Sequence, residues 1–163
     1  MKKSGFTLLE ISVAVVIVGI LAGMAVPTYR LASIKAKRTE AKLLLRNFWQ
    51  AEDAYFAQNG EYYPSARGGF RGWRWGHIYI PAGRAKDIPE LGLKIPENHR
   101  YSLYFYWDLS PWGTTFIYCV AFTPRGKWDI DGDPFWDMWA VTRDGIIYCV
   151  ADDITNHWNG FRL

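Results

Sequence analysis

From Ile11 to Tyr29 the chain carries no charged residue. The run is rich in Val, Ile, Ala and Leu, and a bilayer core takes about 20 such residues as a helix. Lys2 and Lys3 stand just ahead of it. Basic flanks stay on the cytoplasmic side, so the bulk of the chain is expected across the membrane. A cleaved secretory signal is the rival reading, with Ala22-Gly23-Met24-Ala25 as its cleavage site. Glu10 speaks against it. A carboxylate at the start of an apolar run is costly, and an ionisable residue in a membrane segment needs a partner. Lys3 lies seven residues back and Arg30 twenty ahead, so neither reaches it along the helix.

The remaining composition narrows the class. A chain of 163 residues supports one domain with a real core. Half the residues are hydrophobic and 17% are aromatic, which excludes disorder. The net charge of +3 is too near neutral to argue nucleic-acid binding. His77, His99 and His157 show no metal spacing, and no nucleophile or phosphate-loop motif of an enzyme is present.

Lys3-Ser4-Gly5-Phe6-Thr7-Leu8-Leu9-Glu10 closely resembles the processing site of type IV prepilins and the related pseudopilins. The apolar run after it, with Pro27 near its end, is also similar to that family. The resemblance is close over roughly the first 60 residues and architectural beyond them. It implies that a membrane-embedded aspartyl peptidase cuts between Gly5 and Phe6 and N-methylates Phe6. The apolar helix is then retained. Glu10 lies four residues after Phe6, about one helical turn, so the new amine of its own chain or a neighbour meets its charge. In the family this contact sets register between subunits. Gly19 and Gly23 form a small-xxx-small pair, and with Pro27 they predict a segment that bends or unwinds on packing.

The expected organisation is α+β, pilin-like. Residues 1–5 are a cleaved leader, 6–30 a membrane and filament-core helix, and 31–60 an amphipathic helix of the head. Residues 61–100 are a connecting loop and 101–163 an antiparallel sheet. Ile34, Ala41, Leu44 or Leu45, Phe48, Ala51 or Glu52 and Tyr55 form the apolar stripe, with Lys35, Lys37, Arg38, Lys42 and Arg46 facing elsewhere. Asn59-Gly60 ends the helix. Strands are expected at 101–107, 114–122, 135–142 and 146–151, the last two joined through Arg143-Asp144-Gly145.

Three further groups carry site expectations. Cys119 and Cys149 are expected to form a disulfide after export. Meander geometry opposes this, because alternate strands lie roughly 9–10 Å apart and a bridge needs Cα atoms within about 7 Å. Either the last strand pairs differently or both thiols are free. Asp129, Asp131, Asp133 and Asp137 resemble the start of a calcium loop without being an EF-hand, so calcium is the expected ion and a solvated acidic turn the alternative. Arg71, Trp73 and Arg74 interleave charge with rings, as single-stranded nucleic acid requires, but a surface loop explains them more simply. The abundant aromatic residues are expected to serve core packing and subunit contacts rather than conduction.

The sequence therefore predicts a non-enzymatic subunit of a type IV pilus-like filament, for adhesion or motility. It starts as an inner-membrane precursor and ends in an extracellular polymer of identical subunits. Its partners are the prepilin peptidase and the inner-membrane assembly machinery, and nucleic acid is not expected. A type II secretion pseudopilin and a DNA-binding minor pilin are the alternatives.

Overall fold

A computed structural model of the chain describes residues 6–64, 67–68, 74–109, 115–124, 130, 135–142 and 144–160. At 67–68, 74–75, 108–109 and 115–118 it describes the backbone alone. The described residues divide into two compact units, one ending at Ala36 and the other beginning at Lys37. One helix, α1 (Leu8–Asn59), contributes to both.

In the first unit α1 is long and apolar enough to cross a membrane. Its large side chains stand exposed, including Leu8, Ile11, Val15 and Leu21. Helix persists through Pro27. Proline removes one backbone bond there. In the same turn, the Thr28 hydroxyl donates to the carbonyls of Met24 and Ala25 at 2.8 and 2.9 Å. Gly60, at φ 72°, caps the far end by donating its N–H to Phe56 O at 2.8 Å. Glycine takes that left-handed conformation without Cβ strain.

The second unit is built on an antiparallel sheet. Its strands are β1 (Arg67–Gly68), β2 (Arg74–Ile80), β5 (Ser102–Leu109), β6 (Thr115–Phe122), β7 (Met138–Val141), β8 (Ile147–Asp152) and β9 (His157–Trp158). They lie in the order β1-β2-β5-β6-β7-β8-β9. A separate hairpin joins β3 (Lys86–Ile88) to β4 (Leu93–Ile95). The expected four-strand meander is present as β5 to β8. Strand β2 extends it where a connecting loop was expected, pairing along β5 from Arg74↔Leu109 to Ile80↔Leu103. Gly76 makes this edge possible. A Cβ there would meet Pro64 O and Trp107 Nε1 at 2.6 Å, and the Trp107 indole donates to that same carbonyl at 3.3 Å.

The period-2 alternation of the strands sorts the two faces. Ile78, Ile80, Leu103, Phe105, Trp107, Cys119 and Ala121 are buried on the helix side, with Ala41, Leu45 and Phe48 of α1. Phe48 and Phe105 meet with ring centroids 5.4 Å apart. The opposite face has its own apolar cluster over β6 to β8, formed by Val120, Met138, Ala140 and Val150 with Phe122, Phe135 and Tyr148 against it. The aromatic residues thus serve packing on both faces.

The expected Cys119–Cys149 disulfide is not formed, and both are free thiols. Val141 of β7 pairs with Cys119, and Trp139 of β7 pairs with Cys149. An intervening strand therefore separates the two sulfurs, and meander spacing outweighs the compartment expectation. Burial pushes both thiols up, Cys149 to about 11, where Asp137 and Asp152 add to the effect.

The polar side of α1 also departs from expectation. Lys37 donates to Ile130 O at 2.6 Å. Arg38 joins a buried acidic cluster, and the Lys42 ammonium lies 4.3 Å from the centre of the Trp139 ring. Beside the stripe, Glu40 Oε1 accepts the Arg100 N–H at 2.6 Å. Long basic stems can run along apolar surface and deliver their charge at its margin, and here Arg38 and Lys42 meet residues at or beside β7 while Lys37 meets Ile130 between β6 and β7.

Candidate assembly site

Phe6 and Glu10 lie at the start of α1, where the first N–H groups of any helix lack backbone partners. Thr7-Leu8-Leu9-Glu10 closes this end as a capping box. Glu10 N–H donates to Thr7 Oγ1 at 3.2 Å. The Glu10 carboxylate accepts the Thr7 N–H and the Thr7 hydroxyl, both at 2.8 Å. Beyond the ammonium partner that the family resemblance implies, Glu10 thus has partners within its own helix start, and Thr-x-x-Glu is the sequence signature of that cap. Phe6 is 85% exposed. Gly19 and Gly23 have open space where a Cβ would stand, so this flank of the helix is clear for close approach. Gly5 lies outside the described residues.

A second constellation lies in the head. Asp137 is fully buried ahead of β7. One oxygen accepts the Tyr101 hydroxyl at 2.6 Å and the Trp139 indole N–H at 2.7 Å. The other stands 3.0 Å from the Arg38 guanidinium, which also pairs with Asp152. The Asp137 N–H donates to Thr123 Oγ1 at 3.0 Å. Burial pushes the Asp137 carboxyl up, against the opposing pull of Tyr101, Arg38 and Trp139. The cluster joins α1, β7 and β8 through one charge centre.

This placement corrects one expected calcium ligand. Asp137 faces inward and spends its oxygens on Arg38, Tyr101 and Trp139. Asp129, Asp131 and Asp133 lie outside the described residues, as do Arg71 and Trp73. Arg74 opens β2, with its backbone alone described. Among the described residues no group of three or more His, Cys, Asp or Glu is placed to hold a metal ion.

Glu52, the alternative to Ala51 on the apolar stripe, is fully buried. One oxygen accepts the Tyr63 N–H at 2.9 Å, and the other has no hydrogen-bond partner among the described residues. Burial pushes its carboxyl up to about 8, against the Tyr63 bond.

Comparisons with known proteins agree with this layout. Residues 1–26 match the family model described as the prokaryotic N-terminal methylation motif. The chain is 32% identical over 105 residues to the type IV major pilin protein PilA of Myxococcus xanthus, covering 58% of this chain and 48% of that protein. It is 38% identical over 60 residues to a fimbrial protein of Neisseria meningitidis, covering 37% of this chain and 35% of that protein. The chain thus spans about half or less of the length of these two relatives. Type II secretion system core protein G of Pseudomonas aeruginosa is 32% identical over 130 residues, covering 79% of this chain and 81% of that protein. No solved structure matches. An apolar helix opening on a capped carboxylate, an antiparallel head and similarity to a pseudopilin over about four fifths of both chains together place this chain in the type IV pilin and pseudopilin family.

Proposed function

We propose that the chain is a structural subunit of a type IV pilus-like extracellular filament. A prepilin peptidase cuts the precursor between Gly5 and Phe6, Phe6 is methylated, and subunits polymerise through α1. Adhesion or motility is then the work of the polymer. The observation that carries this reading is an apolar helix whose side chains are exposed and whose carboxylate stands four residues after Phe6. Hydrocarbon covers that face in the precursor, and neighbouring helices replace it in the filament. Mass measurement of the mature subunit tests the processing step. A polypeptide beginning at methylated Phe6 is expected, and one still beginning at Met1 would falsify it.

The coverage of core protein G supports a second reading, a pseudopilin whose short filament drives protein export. Deletion separates the two. Loss of bulk surface filaments with export intact favours the pilus, and loss of export favours the pseudopilin.

A further inference from the structure

A glycine that follows asparagine or aspartate leaves its own nitrogen unshielded by a Cβ, so that nitrogen can reach the side-chain carbonyl before it. The chain holds four such pairs, Asn59-Gly60, Asp131-Gly132, Asp144-Gly145 and Asn159-Gly160. Asp131-Gly132 lies outside the described residues. In the other three the Asn or Asp is exposed, so exposure does not separate them. Hydrogen bonding does.

At Asn59-Gly60 both reacting groups are engaged. The Gly60 N–H donates to Phe56 O at 2.8 Å, and the Asn59 amide donates to Tyr55 O at 2.9 Å. At Asp144-Gly145 the Gly145 N–H donates to Thr142 O at 3.0 Å. Asn159-Gly160 differs. The Asn159 N–H donates to Val150 O at 2.8 Å, which fixes the backbone ahead of the side chain. Neither the Asn159 side chain nor the Gly160 N–H has a hydrogen-bond partner among the described residues. A Cβ on Gly160 would meet Trp158 Nε1 at 3.9 Å and nothing nearer, so the space beside the glycine is open.

We propose that Asn159 is a site of covalent self-modification, converting to aspartate and isoaspartate, while the fold protects Asn59. The Gly160 nitrogen gives up its proton and attacks Asn159 Cγ. The bond from Cγ to the side-chain nitrogen breaks, and ammonia leaves with a proton from water. Water then opens the resulting five-membered imide at either carbonyl. One opening yields aspartate. The other routes the main chain through the side chain and adds a methylene to the backbone. The net change is one water consumed and one ammonia released, with nothing oxidised or reduced. β9 is the last strand of the sheet, so either product places a carboxylate at its edge. Charge there opposes pairing with a further strand. The inference rests on this chain's own residues and holds for a pilus or a secretion filament alike.

The test is peptide mapping by mass spectrometry of the mature full-length chain. The chain is held in detergent at pH 7.4 and 37 °C in heavy-oxygen water, with a parallel sample in concentrated urea. Heavy oxygen marks each side chain that loses ammonia, and electron-transfer fragmentation tells isoaspartate from aspartate. In the folded chain, conversion at Asn159 should outrun conversion at Asn59 by at least about tenfold, because two hydrogen bonds must first open at Asn59. Both products should appear at Asn159. In urea the two sites should convert within about threefold of each other, since the protection belongs to the fold. Asn159→Gln lengthens the side chain and disfavours ring closure. It should abolish the signal at 159 and, because the position is exposed, keep the parent circular dichroism spectrum. No conversion at Asn159 in the folded chain, aspartate as its sole product, equal conversion at Asn59, or an undiminished contrast in urea overturns the proposal.

Discussion

Glu52 puts a carboxyl into an aromatic core, with the Tyr63 N–H and the Cys119 thiol as its polar neighbours. Its ordinary value is 4.5 and the folded chain raises it to about 8. Between these values the folded state holds a proton that the unfolded state releases. Stability contributed by Glu52 is therefore full below about 4.5, falls as pH rises to about 8, and is level above. Thermal melts across that window should show the fall in the parent and a flatter profile in Glu52→Gln. At pH 9 the variant should melt higher by about 3–6 °C, and an unchanged slope would remove Glu52 as the cause. Arg38 poses the opposite case. Truncating it leaves Asp137 buried beside Tyr101 and Trp139 without a cation. Arg38→Met should cost about 3 kcal/mol at pH 7.5 by urea denaturation. The loss should shrink at pH 5, toward the protonated form of Asp137 that burial favours. An equal loss at both values would point to packing instead of charge.

At the scale of elements, the strand that separates the cysteines has a direct chemical signature. Alkylation in denaturant without reductant should add two adducts per chain, and none would mean that the bridge forms. Under native conditions labelling should be slow, because burial keeps both sulfurs protonated. The helix and the central meander were legible from their periods: β5 alternates Leu103, Phe105 and Trp107 inward with Tyr104 and Tyr106 outward, and Asp144-Gly145 marks a turn. Strand β2 was not legible. Its outward positions are aromatic as well, so contrast between its faces is weak, and Gly76 reads as a breaker when it actually admits Pro64 O. The links from Lys37 to Ile130 and from Arg38 to Asp137 were also hidden. Their partners lie some ninety to a hundred residues away, and no local pattern encodes that distance.

For the whole molecule, the exposed apolar half of α1 and the head can be tested separately. Glu10→Leu leaves every head contact in place, so the detergent-solubilised chain should keep the parent melting temperature within about 1 °C. Surface filaments, counted by electron microscopy, should nevertheless be lost. Filaments in parental number would detach assembly from this carboxylate. The family was legible because an apolar run preceded by Lys, Gly, Phe and Glu in order has few other uses. The local geometry around Glu10 was only partly so, since the role of Thr7 emerges once the helix start is in place.

The cap on Glu10 changes what docking must accomplish. On the function proposed above, a subunit held in the bilayer would not present a bare anion in search of a counterion. Its carboxylate is already occupied by the backbone and hydroxyl of Thr7. On that same proposal, an arriving ammonium would have to displace or share those donors, and joining the fibre would be an exchange of ligands around one oxygen pair. Weakening the resident donors, as in Thr7→Ala, would then shift the preference toward the newcomer even as it loosens the helix end.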